Sequence, residues 1–282
     1  MDLADLAGSE AIVDLKREYV RSREGRAFLS EVIPCVSSER LPIDDSTLRA
    51  LHSFAVSNPV YVKSYVRQIS GLQCTVYEAD INDYWLSSKK HDSSYQPFYP
   101  TWIISAYALA RATKSLGFKE LVDIGSGDGR LAYCGKLAGM DSFGIEIDSA
   151  LVDVQTKISR DTGVKFAAIE ADATRFEYSQ LGLSRPFFFI SGLPEMGEML
   201  ARSVMAGILS DSDLRGNSGF GLMGSHVMKR YSRDHTGWGW GRIISDFSLA
   251  VKGVATLPTY WTADELHDTA YVYAISQAQQ SH

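Results

Sequence analysis

One stretch of the 282-residue chain gathers the residue types with which chemistry is done: Val122-Asp123-Ile124-Gly125-Ser126-Gly127-Asp128-Gly129-Arg130. A short apolar run ends in an acid, and three glycines follow at every second position. Leu131, Cys134, Leu137 and Ala138 then recur at helical spacing. This order reads as a strand, a tight turn and a helix, which is where open α/β sheets bind ligands. Glycine lets the backbone turn sharply and lets a ligand approach where a Cβ would stand in the way. A dinucleotide fingerprint, G-x-G-x-x-G, needs glycine at position 130. That position is Arg130, and the third glycine comes one residue early, at Gly129. The order is instead acid-x-G-x-G-x-G, and an acid placed as Asp123 is favours the cationic end of a ligand, directly or through water.

S-adenosylmethionine has that chemistry. It carries no pyrophosphate; it carries an amino acid with a cationic amino group beside a sulfonium. Two further acids fall where its other parts would lie. Glu146, in Gly144-Ile145-Glu146-Ile147-Asp148, ends the next strand and is able to accept from both ribose hydroxyls. Asp172, in Glu170-Ala171-Asp172-Ala173-Thr174, ends the third strand and is able to accept from the adenine amino group. Competing readings stay open at this point. The glycine turn serves a nicotinamide or flavin, or binds nothing; Glu146 is a solvent-facing acid at a strand end; Asp172 caps a turn.

The elements that must position these residues are legible in outline. Trp102 to Leu116 reads as a helix, and Glu120 to Ile124 as the first buried strand. Ser142 to Ile147, Lys165 to Ile169, Phe187 to Ser191 and Gly219 to Met223 read as further strands. Helices fall between them, one with Leu151, Val154 and Ile158 on its apolar stripe and one spanning Glu198 to Leu209. Such alternation implies a parallel sheet covered on both faces. Two apolar runs, Phe247 to Leu257 and Ala270 to Ile275, add a C-terminal antiparallel hairpin. The fold class is therefore α/β, a doubly wound and mostly parallel sheet. Before it, Ile12, Leu15 and Tyr19 recur at near-helical spacing, and Pro34, Pro42 and Pro59 divide the chain into short pieces. This predicts a largely helical N-terminal accessory or substrate region over 1–93, bounded by the polar run Ser87 to Ser94, and a second domain over 94–282.

The bulk properties narrow the setting. Hydrophobic residues make up 45% of the chain, enough at this length for a substantial core without disulfides or metal. Three scattered cysteines, Cys35, Cys74 and Cys134, form neither a disulfide framework nor a metal pair. A reducing cytoplasm is the expected compartment, and no metal is expected. Apolar runs are too short to span a bilayer. A formal net charge of −6 disfavours broad electrostatic binding of nucleic acid.

Asp123-Ile-Gly-Ser-Gly-Asp-Gly-Arg130 followed by Gly144-Ile-Glu-Ile-Asp148 resembles the class I, seven-strand, Rossmann-like S-adenosylmethionine-dependent methyltransferases. More narrowly, the chain is similar to the small prokaryotic relatives of the ATP-synthase c-subunit lysine methyltransferases. Members of that branch often carry Tyr-x-Pro-Thr-Pro before the first helix; this chain has Phe98-Tyr99-Pro100-Thr101-Trp102. The resemblance covers about residues 95–225 and implies the cofactor S-adenosylmethionine, with S-adenosylhomocysteine as product. It assigns Asp123, Gly125 and Gly127 to the methionine portion, Glu146 to the ribose, and Asp172 with Ala173 to the adenine, with Ser126 and Ile147 as further expected cofactor contacts. Tyr99 and Thr101 would close over the cofactor, with Ser191 at the end of the fourth strand. For Thr101 an equal alternative is the N-cap of the following helix.

The fourth strand ends Ile190-Ser191-Gly192-Leu193-Pro194-Glu195, without the Asn/Asp-Pro-Pro-Tyr/Phe segment that grips an amino acceptor in many members of the superfamily. Glu195 is the first candidate for orienting the acceptor or taking its proton; the alternative is a first-turn acid favouring a helix dipole. His226 and Trp238-Gly239-Trp240-Gly241-Arg242 are secondary candidates for contact with a substrate, a structural histidine and a packed turn being the alternatives. The basic residues Lys229, Arg230, Arg233 and His235 read as solvated surface or as a contact for an acidic or nucleic-acid partner. The expected function is a methyltransferase acting on a protein side chain, lysine by analogy. Alternatives are an RNA or small-molecule methyltransferase, and a cofactor-binding regulatory protein without turnover.

Overall fold

A computed structural model describes residues 8–22, 29–79, 100–190, 194–224, 240–259 and 268–277. The N-terminal region contributes helix α1 (Ser9–Ser22), strand β1 (Leu29–Pro34), helix α2 (Asp45–Ser57) and strands β2 (Tyr61–Ile69) and β3 (Leu72–Ala79). The expectation of a largely helical region is corrected here: β1, β3 and β2 pair antiparallel, in that order, as a three-stranded sheet. The strands β2 and β3 are joined by Ser70 and Gly71, both at positive φ (55° and 79°). Two such residues in a row make the tight hairpin turn that suits the twist of antiparallel strands. Tyr and Val at Tyr61, Val62, Tyr65 and Val66 supply the β preference.

The remainder is the doubly wound sheet. Its elements are α3 (Ile103–Ser115), β4 (Glu120–Ile124), α4 (Arg130–Leu137), β5 (Asp141–Glu146), α5 (Ser149–Thr162), β6 (Ala167–Glu170) and β7 (Pro186–Ile190), then α6 (Pro194–Ser210), α7 (Ser212–Arg215), β8 (Gly219–Gly224), α8 (Trp240–Asp246), β9 (Leu249–Leu257) and β10 (Thr269–Ser276). Strand order is β6-β5-β4-β7-β8-β10-β9. The pairs β5–β6, β4–β5, β4–β7 and β7–β8 are parallel, and β10 runs antiparallel to both β8 and β9. Chain order runs outward from β4 in one direction through β5 and β6, then resumes on its other side with β7. The carboxyl end of β4 therefore lies at the point where strand order reverses, where such sheets form their ligand crevice.

All five residues of β4 are buried, so its two faces are not separable by polarity. The packing separates them. Leu121, Phe187, Phe189, Tyr271 and Tyr273 join one apolar cluster, and Val122, Ile124, Phe188, Ile190, Phe220 and Leu222 join the other. The first cluster also takes in Ile12, Leu15, Tyr19, Val32, Leu51, Phe54 and Val76. The N-terminal region thus shares one continuous core with one face of the large sheet. A buried ion pair, Lys16 Nζ to Asp268 Oδ1 at 3.0 Å, adds a polar tie between α1 and the residue preceding β10.

Candidate functional site

The turn after β4 is shaped by glycine. Gly125 and Gly129 hold φ of +71° and +78°, a region that side-chain-bearing residues rarely adopt. The N–H groups of Gly125 and Ser126 both donate to the Ile145 carbonyl, at 2.9 and 3.1 Å, which draws the turn over the end of β5. Gly129 forms the left-handed N-cap of α4, where an added Cβ would lie 2.8 Å from Gln155 Cγ and 3.0 Å from the Phe166 ring. A Cβ on Gly125 would meet nothing within 4 Å, so that side of the turn is open.

Glu146 is buried at the end of β5 and holds three backbone N–H groups. Its Oε2 accepts from Gly127 at 2.9 Å, and its Oε1 accepts from Ile147 at 2.8 Å and Asp148 at 3.0 Å. Burial pushes its pKa up, and these amides oppose the rise without cancelling it. Gln155 of α5 supports the turn from beneath, its Nε2 donating to Ser126 Oγ and to the Gly127 carbonyl, both at 2.8 Å. Gly144 makes room for this: a Cβ there would come 2.5 Å from Gln155 Oε1 and 2.8 Å from Ser126 Oγ.

Asp123 sits in parallel register between Gly144 and Phe189. It is 3% exposed, and its Oδ1 has no hydrogen-bond partner among the described residues. A buried carboxylate oxygen without a hydrogen-bond partner loses hydration that is not made good. Burial accordingly pushes its pKa up to about 8; Glu146 and Asp128 add to the rise and Arg130 opposes it.

The third strand's end joins the same place through the backbone, because Ala171 N donates to the Glu146 carbonyl at 2.9 Å. Asp172 Oδ1 accepts from the Thr174 N–H at 2.9 Å and hydroxyl at 2.7 Å. The hydroxyl bond is the main reason its pKa lies below the usual carboxylate value. The Ala173 carbonyl accepts from the Tyr178 hydroxyl at 2.9 Å. Thr101 pairs as an isolated bridge with Thr259, and its Oγ1 is 2.6 Å from the Tyr271 hydroxyl. The alternative of Thr101 as an N-cap is corrected: Trp102 occupies that position, without a side-chain cap bond.

The Glu31 carboxylate, from β1, takes the first free amide of α3 instead, with Ile103 N donating to its Oε2 at 2.8 Å. Glu31 is also bound by Arg130, whose guanidinium donates to Glu31 Oε1, to both Asp128 oxygens, to the Thr101 carbonyl and to the Tyr61 hydroxyl. Asn58 Nδ2 donates to Asp128 Oδ2 at 2.8 Å, and the Tyr61 hydroxyl donates to Glu31 Oε1 at 2.9 Å. Glu31, Asn58 and Tyr61 escaped the sequence reading, which took Asp128 and Arg130 only as part of the glycine motif. One signal was present, since a cation at the first position of a helix opposes the dipole and needs another reason to be there.

The structure thus brings Asp123, Gly125, Ser126, Gly127, Glu146 and Ile147 together, with Asp172 and Ala173 tied in through Ala171 and Thr101 through Arg130. Tyr99 and Ser191 lie outside the described residues, as do His226, Lys229, Arg230, Arg233, His235 and Trp238. Glu195 falls in the first turn of α6, with its side chain outside the description. Trp240 is buried and donates from Nε1 to the Met223 carbonyl at 2.7 Å, which makes it a packing residue. Among the described residues no group of three or more His, Cys, Asp or Glu is placed to hold a metal, and no helix is long and apolar enough to cross a membrane.

No protein-family model and no curated protein matches the chain. Among solved structures it is similar to a TehB-like SAM-dependent methyltransferase from Corynebacterium glutamicum, at 16% identity over 60% of this chain and 86% of that one, TM-score 0.41. It is similar also to the glycopeptide N-methyltransferase MtfA complexed with sinefungin, at 12% identity over 61% and 87% of the two chains, TM-score 0.45. A third such structure is M. capricolum TrmK in complex with S-adenosyl-homocysteine, at 10% identity over 58% and 66%, TM-score 0.39.

Proposed function

We propose that this chain binds S-adenosylmethionine at the carboxyl ends of β4, β5 and β6 and transfers its methyl group to an acceptor. The observation that carries the reading is Asp123: a carboxyl group whose buried Oδ1 has no partner among the described residues, two residues before the glycine whose outer side is open. Such an oxygen is costly unless a bound group completes it, and a cationic amino group is the fitting complement. Glu146 would hold the ribose and Asp172 with Ala173 the adenine. The bound cofactor supplies a methyl group on a positively charged sulfur. The chain's own task is to hold an acceptor in line with it and to keep water out, which needs no strict catalytic motif.

For the acceptor we propose a protein side chain, lysine in particular, with Glu195 orienting it or taking its proton. This finer reading rests on the sequence resemblance of residues 95–225. Titration with S-adenosylhomocysteine by calorimetry, beside NAD and a Glu146→Ala variant, tests the cofactor. Binding that the variant loses supports the reading, and preference for NAD overturns it. A radiolabelled-methyl screen against protein, RNA and metabolite pools then tests the acceptor, and label in RNA or metabolites replaces the lysine assignment.

A further inference from the structure

We propose that Glu31 is a positioning residue for the cofactor turn, so that the N-terminal sheet is part of the machinery that shapes the site. The part of this inference concerning cofactor affinity rests on the function proposed above; the part concerning the turn does not.

The argument starts from Arg130, the residue that ends the glycine turn and begins α4. Its guanidinium is 4% exposed, and both carboxylates it contacts are buried, Asp128 at 0% and Glu31 at 0%. A charge taken this far from water is tolerable only when paired and hydrogen-bonded. Asp128 belongs to the turn itself, so Arg130–Asp128 alone would be a local clasp with no outside reference. Glu31 supplies that reference. It stands on β1, an edge strand whose register against the central β3 is continuous from Leu29 to Pro34. One Glu31 oxygen binds Arg130 and the other caps α3 at Ile103. The same carboxylate therefore fixes the start of α4 against the start of α3, and the Thr101 carbonyl completes the link by accepting from Arg130.

Tyr61 and Asn58 show that the arrangement is built from several segments. Tyr61, on β2, donates to Glu31 and accepts from Arg130; Asn58, just past α2, donates to Asp128. The planar fork of Arg130 meets these partners in fixed directions, which sets an orientation as well as a charge. Arg130 and Asp128 both act on the charge of Asp123, in opposite senses. A shift of the fork thus reaches the candidate cofactor-binding acid as well as the turn.

The test uses the full chain and compares Glu31→Gln and Tyr61→Phe with Val76→Ala. Val76 is buried in β3, so its truncation loosens the same sheet without touching the network. Amide hydrogen exchange over residues 125–131, without ligand, reads the turn directly; S-adenosylhomocysteine affinity reads the consequence. Glu31→Gln is expected to speed exchange over 125–131 and to weaken affinity, each about tenfold. Tyr61→Phe should show a smaller change in the same direction, and Val76→Ala should change neither. If Glu31→Gln does not fold, Tyr61→Phe decides. Unchanged exchange in the network variants, an equal response in Val76→Ala, or a loosened turn with undiminished affinity overturns the inference. A native chain that ignores S-adenosylhomocysteine while its turn still loosens would refute the cofactor reading and leave the anchoring of the turn standing.

Discussion

The carboxylate of Glu146 accepts the backbone N–H of Gly127 at 2.9 Å, and this bond fastens the end of β5 to the turn that follows β4. The same side chain also satisfies Ile147 and Asp148, so it has a structural duty before any ribose arrives. Glu146→Ala releases three buried or half-buried amides at once. The expected cost is about 1–3 kcal/mol of stability, the range for orphaned buried donors, together with loss of S-adenosylhomocysteine binding. Denaturant unfolding and calorimetry measure the two effects separately, and unchanged binding would remove Glu146 from the cofactor site.

Asp123 gives a dependence on pH with a definite sign. Its folded pKa of about 8 lies above the ordinary carboxylate value of 3.8. Between those values the folded chain holds a proton that the unfolded chain has released, so stability falls as pH rises through that window. Asp123→Asn should flatten the decline, by at most about 1.4 kcal/mol per pH unit, and make the variant more stable than the native chain near pH 8. The same variant should bind S-adenosylhomocysteine more weakly, while native affinity climbs from pH 6 to pH 8 as the carboxylate ionises. Parallel stability curves for the two proteins would show that Asp123 titrates normally.

Gly144 has a narrower role. An alanine methyl there would press on Gln155 and Ser126 at 2.5 and 2.8 Å. Gly144→Ala is expected to cost about 1–3 kcal/mol, as overpacking does, and to lower cofactor affinity because both displaced groups touch the turn. Adding Gln155→Ala should recover part of the stability without restoring the affinity, a pattern that a thermal melt and a titration distinguish. Full recovery of both would assign the effect to crowding alone.

Glu195→Gln separates chemistry from binding. If Glu195 orients the acceptor or takes its proton, single-turnover methyl transfer falls by about 100-fold, within the usual range for a lost general base, while S-adenosylhomocysteine binds as before. Equal turnover in the variant would return Glu195 to its other reading, an acid favouring the amino end of α6.

Much of the large sheet was legible because the period of its elements is strong. The helix predicted over Trp102 to Leu116 is Ile103–Ser115, and the strand predicted over Glu120 to Ile124 has those same bounds. Ends shifted where a local bond decides them. The helix expected from Glu198 begins at Pro194, since proline suits a first helical position. The small sheet was harder to see. Its edge strand β2 mixes Lys63, Ser64, Arg67 and Gln68 with valine and tyrosine, so its pattern does not alternate cleanly. The Ser70-Gly71 pair was the clue to a hairpin. The meeting of Glu31 and Tyr61 with Arg130 was illegible for a different reason: local periodicity carries no information about which distant segments meet.

The tie between Lys16 and Asp268 sets a delay on the chain's first moments. The two partners are 252 positions apart. At synthesis rates of roughly 5–20 residues per second, Lys16 emerges roughly 13–50 s before its carboxylate exists. Throughout that interval α1 has neither its ion pair nor β10, and for most of it β9 is missing too. The apolar stripe of Ile12, Leu15 and Tyr19 is covered in full only once Leu257, Tyr271 and Tyr273 of the C-terminal hairpin have been made.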